Sequence, residues 1–150
     1  MESISELISR ARAAQAEFEK TATQESVDAI VKAIAKTVYE NAEPLAKLAA
    51  EESGMGLYED KINKNKGKAR IIWSFLKDKK SVGVISRDDR TCITEVARPM
   101  GVVAAITPCT NPIVTPMCNA MYAIKGRNAI IIAPHPRAKK CARVVTDLFR

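Results

Sequence analysis

Two proline-framed segments hold most of the side chains able to do chemistry in this 150-residue chain. The first is Thr107-Pro108-Cys109-Thr110-Asn111-Pro112, and the second is Ala133-Pro134-His135-Pro136-Arg137. Each follows a short apolar run, residues 102–106 and 128–132. Such runs read as strands buried on both faces, as in a parallel sheet. A helix over about 113–124, which Gly126 can end, joins them into a right-handed βαβ unit. Ligands of open parallel sheets bind outside the carboxyl ends of the strands, where both segments lie. Each segment leads into a helix N-terminus, whose free N–H groups and positive dipole end suit a phosphate. Arg137 and Lys139 add formal charge beside the second segment. The spacing thus points to a phosphorylated ligand such as a dinucleotide, against the plainer reading of an ordinary βαβ layer with a basic surface. Neither G-x-G-x-x-G nor G-x-x-x-x-G-K-[ST] occurs, so no glycine-rich turn would grip that ligand.

The nucleophile and metal inventory is short. Cys92, Cys109, Cys118 and Cys141 form no C-x-x-C pair, and His135 is the single histidine. The expectation is no metal site, no disulfide and small packed thiols. Cys109 is the one cysteine placed for activation, at a strand end before a helix N-terminus. His135 is a general base by type, but between prolines it reads as a cofactor or solvent contact.

Helices precede this unit. Ser3 and Glu6 fit a capping box, followed by Ile4, Leu7, Ile8, Ala11, Ala14 and Phe18 at helical spacing. A second helix is predicted over 23–41, with Val27, Ile30, Val31, Ile34, Ala35 and Val38 on one face. A third begins at Asn41 with Pro44 in its first turn and stops at Gly54. A fourth covers about 58–76. Residues 82–85 and 91–96 are rich in β-branched side chains around a turn-like Arg87-Asp88-Asp89-Arg90, which reads as a hairpin. A last helix runs towards Phe149.

Charge is unevenly spread. Residues 1–60 carry 12 acidic and 6 basic groups, whereas residues 61–150 carry 18 basic and 5 acidic ones, for an overall net charge of +7. The basic second part suggests an anionic partner, with a solvated face as the plainer alternative. The run from Lys61 to Lys80, with 8 basic groups, reads as such a solvated face, with a docking surface for a neighbouring subunit or an anionic ligand as the alternative. At 47 % hydrophobic and 27 % charged residues, the composition is that of a globular chain. No apolar stretch approaches the ~18 residues of a membrane span. With a polar, acidic start and no signal-peptide pattern, the expectation is a cytoplasmic protein.

The two proline-framed segments, within Pro99 to Ala142, closely resemble the CoA-acylating aldehyde dehydrogenases. Tyr39-Glu40-Asn41-Ala42-Glu43, residues 55–61 and residues 77–80 carry the resemblance through the helical part. It covers essentially the whole chain and is strongest for the branch acting on short anionic aldehydes such as succinate semialdehyde and sulfoacetaldehyde. The fold it implies is α/β: a helical lead-in (1–80), a β-hairpin (81–98) and the first βαβ of a Rossmann-type parallel sheet (99–150). Together these form the N-terminal part of an NAD(P)-binding domain.

The resemblance implies cofactor contacts at Thr107, Pro108, Cys109, Thr110 and Asn111, and at Ala133, Pro134, His135, Pro136 and Arg137. In the wider superfamily a Pro-Trp-Asn-x-Pro loop supplies an oxyanion donor. Here Pro108 and Pro112 match its prolines, Cys109 replaces the tryptophan, and either Thr110 or Asn111 is the donor. Ala133 and Pro136 stand where the superfamily has a lysine and a ribose-binding glutamate, so NADP is not excluded. The family's cysteine nucleophile lies beyond the aligned portion, so this chain alone is expected to lack turnover. The implied co-substrate is CoA, the substrate a small aldehyde, the assembly a homo-oligomer with the hairpin in its arm, and the location the cytoplasm or a bacterial microcompartment.

Two readings of another class stand beside this one. A basic nucleic-acid-binding module rests on the charge of residues 61–150, but only Trp73 and Phe75 interleave its basic groups with aromatics. An interaction module rests on the amphipathic first helix, which could dock on a partner.

Overall fold

The computed structural model describes residues 3–150. Its helical part holds α1 (Ile4–Thr21), α2 (Gln24–Glu40), α3 (Ala42–Ser53) and α4 (Tyr58–Leu76). The hairpin strands are β1 (Gly83–Asp88) and β2 (Ile93–Ala97), and β3 (Val102–Thr107), α5 (Val114–Lys125), β4 (Ala129–Pro134) and α6 (Lys139–Leu148) complete the chain. A 3-10 turn, Pro136–Ala138, separates β4 from α6. Among the described residues, no helix is long and apolar enough to cross a membrane.

Local chemistry sets the helix ends. Ser3 and Glu6 form the reciprocal capping box of α1, and Thr23 with Ser26 does the same for α2. Gly54 ends α3 in the left-handed conformation, φ 64°. The core lies between helices rather than under the hairpin. Val27, Val31 and Val38 of α2, Leu45 and Ala49 of α3, Met117 and Met121 of α5, and Cys141 and Val145 of α6 meet there with little or no exposure. An ion pair between half-buried Asp28 of α2 and buried Lys125 of α5 ties these two helices together.

β3 and β4 pair in parallel, from Val102 opposite Ala129 to Thr107 opposite Pro134. One face of this pair packs on the helices through Ala105, Thr107 and Ile130. The other face meets α1 around Val102, Ala104 and Ile131, where a groove lies between helix and sheet. Towards the strand ends α1 gives no cover, and Ile106 is 85 % exposed. The sequence pattern predicts strands buried on both faces; the structure corrects this to one packed face and one partly covered one. Apolar composition reports what a face can bury, not that a covering element is present.

The turn between α5 and β4 is also built differently from its sequence reading. Gly126 keeps an ordinary φ of −85°, and Arg127 takes the left-handed position at φ 58°. Glycine is needed at 126 for space, since a Cβ there would come within 2.7 Å of the Asn128 amide nitrogen. That amide is a buried knot. Its oxygen accepts from the backbone N–H groups of Met100 (2.6 Å) and Gly101 (2.9 Å), and its nitrogen donates to Ala123 O (3.2 Å).

The hairpin pairs antiparallel with a bulge at Ile85. Its turn falls at 89–92, two residues later than Arg87–Arg90, because the Asp88 carboxylate accepts from the N–H groups of Arg90 and Thr91 and closes the bend there. Val84, Ile93 and Val96 are each more than half exposed. The ribbon is anchored at its roots. The Gln24 side-chain oxygen accepts from Ser81 N (2.8 Å) and Val82 N (3.2 Å) at one root. Arg127 Nη2 donates to Ala97 O (2.8 Å) at the other. Replacing Asn128 by Ala leaves the Met100 and Gly101 amides without their acceptor. It should destabilise the chain by about 3 kcal/mol in urea unfolding, more than any exposed Asn→Ala change.

Candidate functional site

The site forms at the carboxyl ends of β3 and β4, because parallel pairing brings both proline-framed segments to the same end. The last strand pair, Thr107 opposite Pro134, is followed by a bond from His135 N to Thr107 O (2.9 Å) that holds the two segments side by side. Thr107 is buried, while Pro108 and Thr110 are exposed and Cys109 and Asn111 half-buried. Ala133, Pro136 and Arg137 are exposed, with Pro134 and His135 half-buried between them. All ten residues singled out in the sequence therefore lie at the adjoining ends of β3 and β4 and on the loops that follow them.

The second loop is more tightly built than its sequence suggests. Pro136 opens the 3-10 turn, and His135 Nδ1 accepts from Arg137 N at 3.1 Å. Arg137 Nη2 donates to Ser53 O, the end of α3, at 2.7 Å. The N–H groups of Lys140 and Cys141, at the start of α6, both donate to the Glu52 carboxylate at 2.7 Å. The sequence predicts an open helix N-terminus for a phosphate here. The structure corrects this: a carboxylate from α3 already occupies it, and an acidic group at that point repels a second anion. What remains for a ligand is the outer side of the loop, with the unused N–H groups of the Arg137 guanidinium and the Lys139 ammonium.

The first loop leans on α4. Lys61 is 8 % exposed and its ammonium donates to Thr110 O at 3.5 Å. Burial, with the neighbouring Lys64 charge, lowers its pKa below the ordinary value of 10.5. One turn further on, Lys64 Nζ donates to Asn111 Oδ1 at 3.1 Å. Asn111 Nδ2 in turn donates to Thr110 Oγ1 at 3.4 Å. Only a crevice of about 10 Å³ separates this loop from α4. Met55, just after α3, places its sulfur 3.7 Å from Cys109 Sγ.

Glu52, Lys61 and Lys64 are the site residues that sequence reasoning missed. Lys61 had a signal: with Asn65, Ala69 and Leu76 it falls on the buried stripe of α4, an unusual place for a lysine that merely faces water. Glu52 and Lys64 had none, since their partners lie 88 and 47 residues away.

The cysteines divide by burial. Burial, and then the Glu52 carboxylate, push the Cys141 thiol up to about 12, and burial raises Cys118 as well. Both shifts keep these two thiols protonated near neutral pH.

The fold is thus α/β: a parallel strand pair with two joined loops at its carboxyl end, walled by helices that precede it in the chain. The aldehyde dehydrogenase family model matches residues 1–150, and the chain belongs to that family. It is 56 % identical over 147 residues to the succinate-semialdehyde dehydrogenase (acetylating) of Clostridium kluyveri, covering 98 % of this chain and 32 % of that protein. It is 44 % identical over 145 residues to a sulfoacetaldehyde dehydrogenase of an Acholeplasma species, covering 95 % and 30 %. Among solved structures, an acetylating aldehyde dehydrogenase from Geobacillus thermoglucosidasius superposes with a TM-score of 0.91 at 42 % identity, over 95 % of this chain and 31 % of that one. The propionaldehyde dehydrogenase of Rhodopseudomonas palustris, solved with bound propionyl-CoA, superposes with a TM-score of 0.79 at 25 % identity, over 99 % and 32 %. The chain spans about a third of the length of these relatives. The helical lead-in, hairpin and βαβ order read from the sequence thus matches that of acylating aldehyde dehydrogenases.

Two outcomes follow from the geometry. Glu52 sits below its ordinary value of 4.5: burial raises it, but the combined hydrogen bonds from Cys141 and Lys140, with the Lys140 charge, outweigh that. Its contribution to stability is therefore complete above about pH 4.5 and is lost as the pH falls through the lowered folded value. Glu52→Gln should cost about 1 kcal/mol at pH 7 and flatten the acid limb of a urea-midpoint series from pH 7 to 3. Alkylation of the folded chain at pH 8, read by mass spectrometry, should label exposed Cys92 first and Cys109 second. Cys141, buried and with its thiol pushed up to about 12, should react only after unfolding.

Proposed function

We propose that these 150 residues are the N-terminal part of a CoA-acylating aldehyde dehydrogenase. The complete protein oxidises a short, anionic aldehyde to its acyl-CoA with NAD or NADP, through a thioester on a cysteine outside this stretch. Within the chain, residues 1–80 are the helical lead-in, 81–98 the hairpin and 99–150 the βαβα cofactor unit. The observation that carries the reading is the juxtaposition of the loops 107–112 and 133–137 at one end of the β3–β4 pair, each held by a helix of the lead-in.

The reaction assigns work to each loop. As a thiolate adds to the aldehyde carbon, the carbonyl oxygen takes up the displaced electron pair and needs a hydrogen-bond donor. Thr110 and Asn111 are the polar side chains of the first loop and supply it. The nicotinamide cofactor, when bound, accepts the hydride that leaves the same carbon as the carbonyl re-forms. Cys109, a small residue in this loop, leaves room for the ring. Residues 133–137 face the adenosine half, where Arg137 and Lys139 meet ribose or pyrophosphate oxygens. With Ala133 and Pro136 in place of a lysine and an acidic ribose ligand, no carboxylate on this loop rejects a 2′-phosphate. CoA then takes the acyl group from the cysteine. The exposed hairpin, anchored only at its roots, extends towards a second copy in a homo-oligomer, in the cytoplasm or a microcompartment.

The test is spectrophotometric. The complete protein should reduce NAD or NADP with succinate semialdehyde or sulfoacetaldehyde only when CoA is present. The 150-residue chain alone should show no reduction. Turnover by the short chain, or cofactor reduction that ignores CoA, would sink the reading. DNA or RNA retention with a steep salt dependence would favour a nucleic-acid module instead.

A further inference from the structure

The first loop holds two neighbouring donors, and the structure shows them joined in series rather than in competition. Lysine donates and never accepts, so the contact between Lys64 Nζ and Asn111 fixes which amide atom faces which way. The amide oxygen turns to Lys64, and the amide nitrogen is left to donate to Thr110 Oγ1. A hydroxyl that accepts through its oxygen keeps its own hydrogen for another acceptor. Lys61 meanwhile holds the Thr110 carbonyl, fixing the backbone from which that hydroxyl projects. The outer member of the chain, Thr110, is exposed just beyond the carboxyl end of β3.

We propose that Lys64, Asn111 and Thr110 form a hydrogen-bond relay in which Thr110 is the oxyanion donor and Lys64 is its positioning residue. This rests on the function proposed above and assigns the donor that the loop itself leaves open. A cation at one end draws the Asn111 amide dipole into line, and the aligned amide makes the Thr110 hydroxyl a better donor. No proton moves along the relay. Its effect is confined to the step in which the aldehyde oxygen becomes charged. Lys64 never touches substrate, so ground-state binding should not depend on it.

The experiment uses the complete protein, with CoA-dependent aldehyde oxidation as the readout. Lys64→Met should lower kcat about tenfold, a fraction of the loss expected from deleting an oxyanion donor outright. KM for the aldehyde should stay within about twofold, because uniform binding is untouched. Lys64→Arg should restore most of the rate. In a Thr110→Val background, Lys64→Met should cost nothing further, as members of one network are not additive. Lys68→Met, an exposed change one turn further along the same helix, should leave the rate alone. Thermal midpoints of all variants should agree, since Lys64 is exposed. Full activity in Lys64→Met overturns the relay and leaves the proposed function standing. So does an equal Lys64→Met loss with and without Thr110, or a loss expressed only in KM. A wild-type protein with no CoA-dependent oxidation overturns both.

Discussion

The register of one parallel strand pair governs this chain. Parallel strands cannot be joined by a tight turn, so their alignment depends on how the crossover helix is delivered back to the sheet. Here the delivery is set by the Asn128 side chain, which binds the chain entering β3 and the end of α5 at once. Gly126 is empty at the one point where the amide must pass. Arg127, between them, takes the left-handed bend while its side chain holds the base of the hairpin and its carbonyl accepts from Gln15 of α1. Three consecutive residues thus fix the sheet, the hairpin and the first helix relative to one another. A slip of one residue would separate Thr107 from His135 and pull the two loops apart.

The lead-in helices do more than precede the β3–α5–β4 unit. α3 ends on the second loop through Glu52 and Ser53, and α4 begins on the first loop through Lys61 and Lys64. Each contact pairs a charged side chain with a backbone or amide group: Glu52 with the start of α6, Arg137 with the Ser53 carbonyl, Lys61 with the Thr110 carbonyl and Lys64 with the Asn111 amide. The loops are therefore stiff for two reasons: their prolines, and a helical wall that binds their polar atoms. This also gives the basic run after Lys61 a divided role, with its first two lysines turned onto the site and the remainder largely in water.

Much of this was legible before any coordinates. A capping box, a helix-ending glycine and helical apolar spacing act over a few residues, so the four lead-in helices could be read nearly to their ends. The βαβ unit was equally plain from two apolar runs at crossover distance, and its loops contain every residue first named for the site. What escaped reading was long-range. Nothing in the neighbourhood of Glu52 says that it caps a helix beginning at Lys139, and a lysine-rich stretch looks the same whether its charges face solvent or an asparagine. The strand faces misled for a related reason: hydrophobicity records a capacity for burial, and the partly covered face around Ile106 has that capacity without a cover among the described residues.

The division of the core has a consequence in time. Its buried side chains come mainly from helices, and α2, α3 and α4 contact one another over short sequence separations. Local contacts of this kind form quickly, and chains fold from the N-terminus as they are made. A helical platform bearing Glu52, Lys61 and Lys64 can exist before either strand end has left the ribosome. The loops at the carboxyl ends of β3 and β4 would then settle onto a surface already set, each meeting its charged partner on arrival, and the slower pairing of parallel strands would proceed against a fixed template.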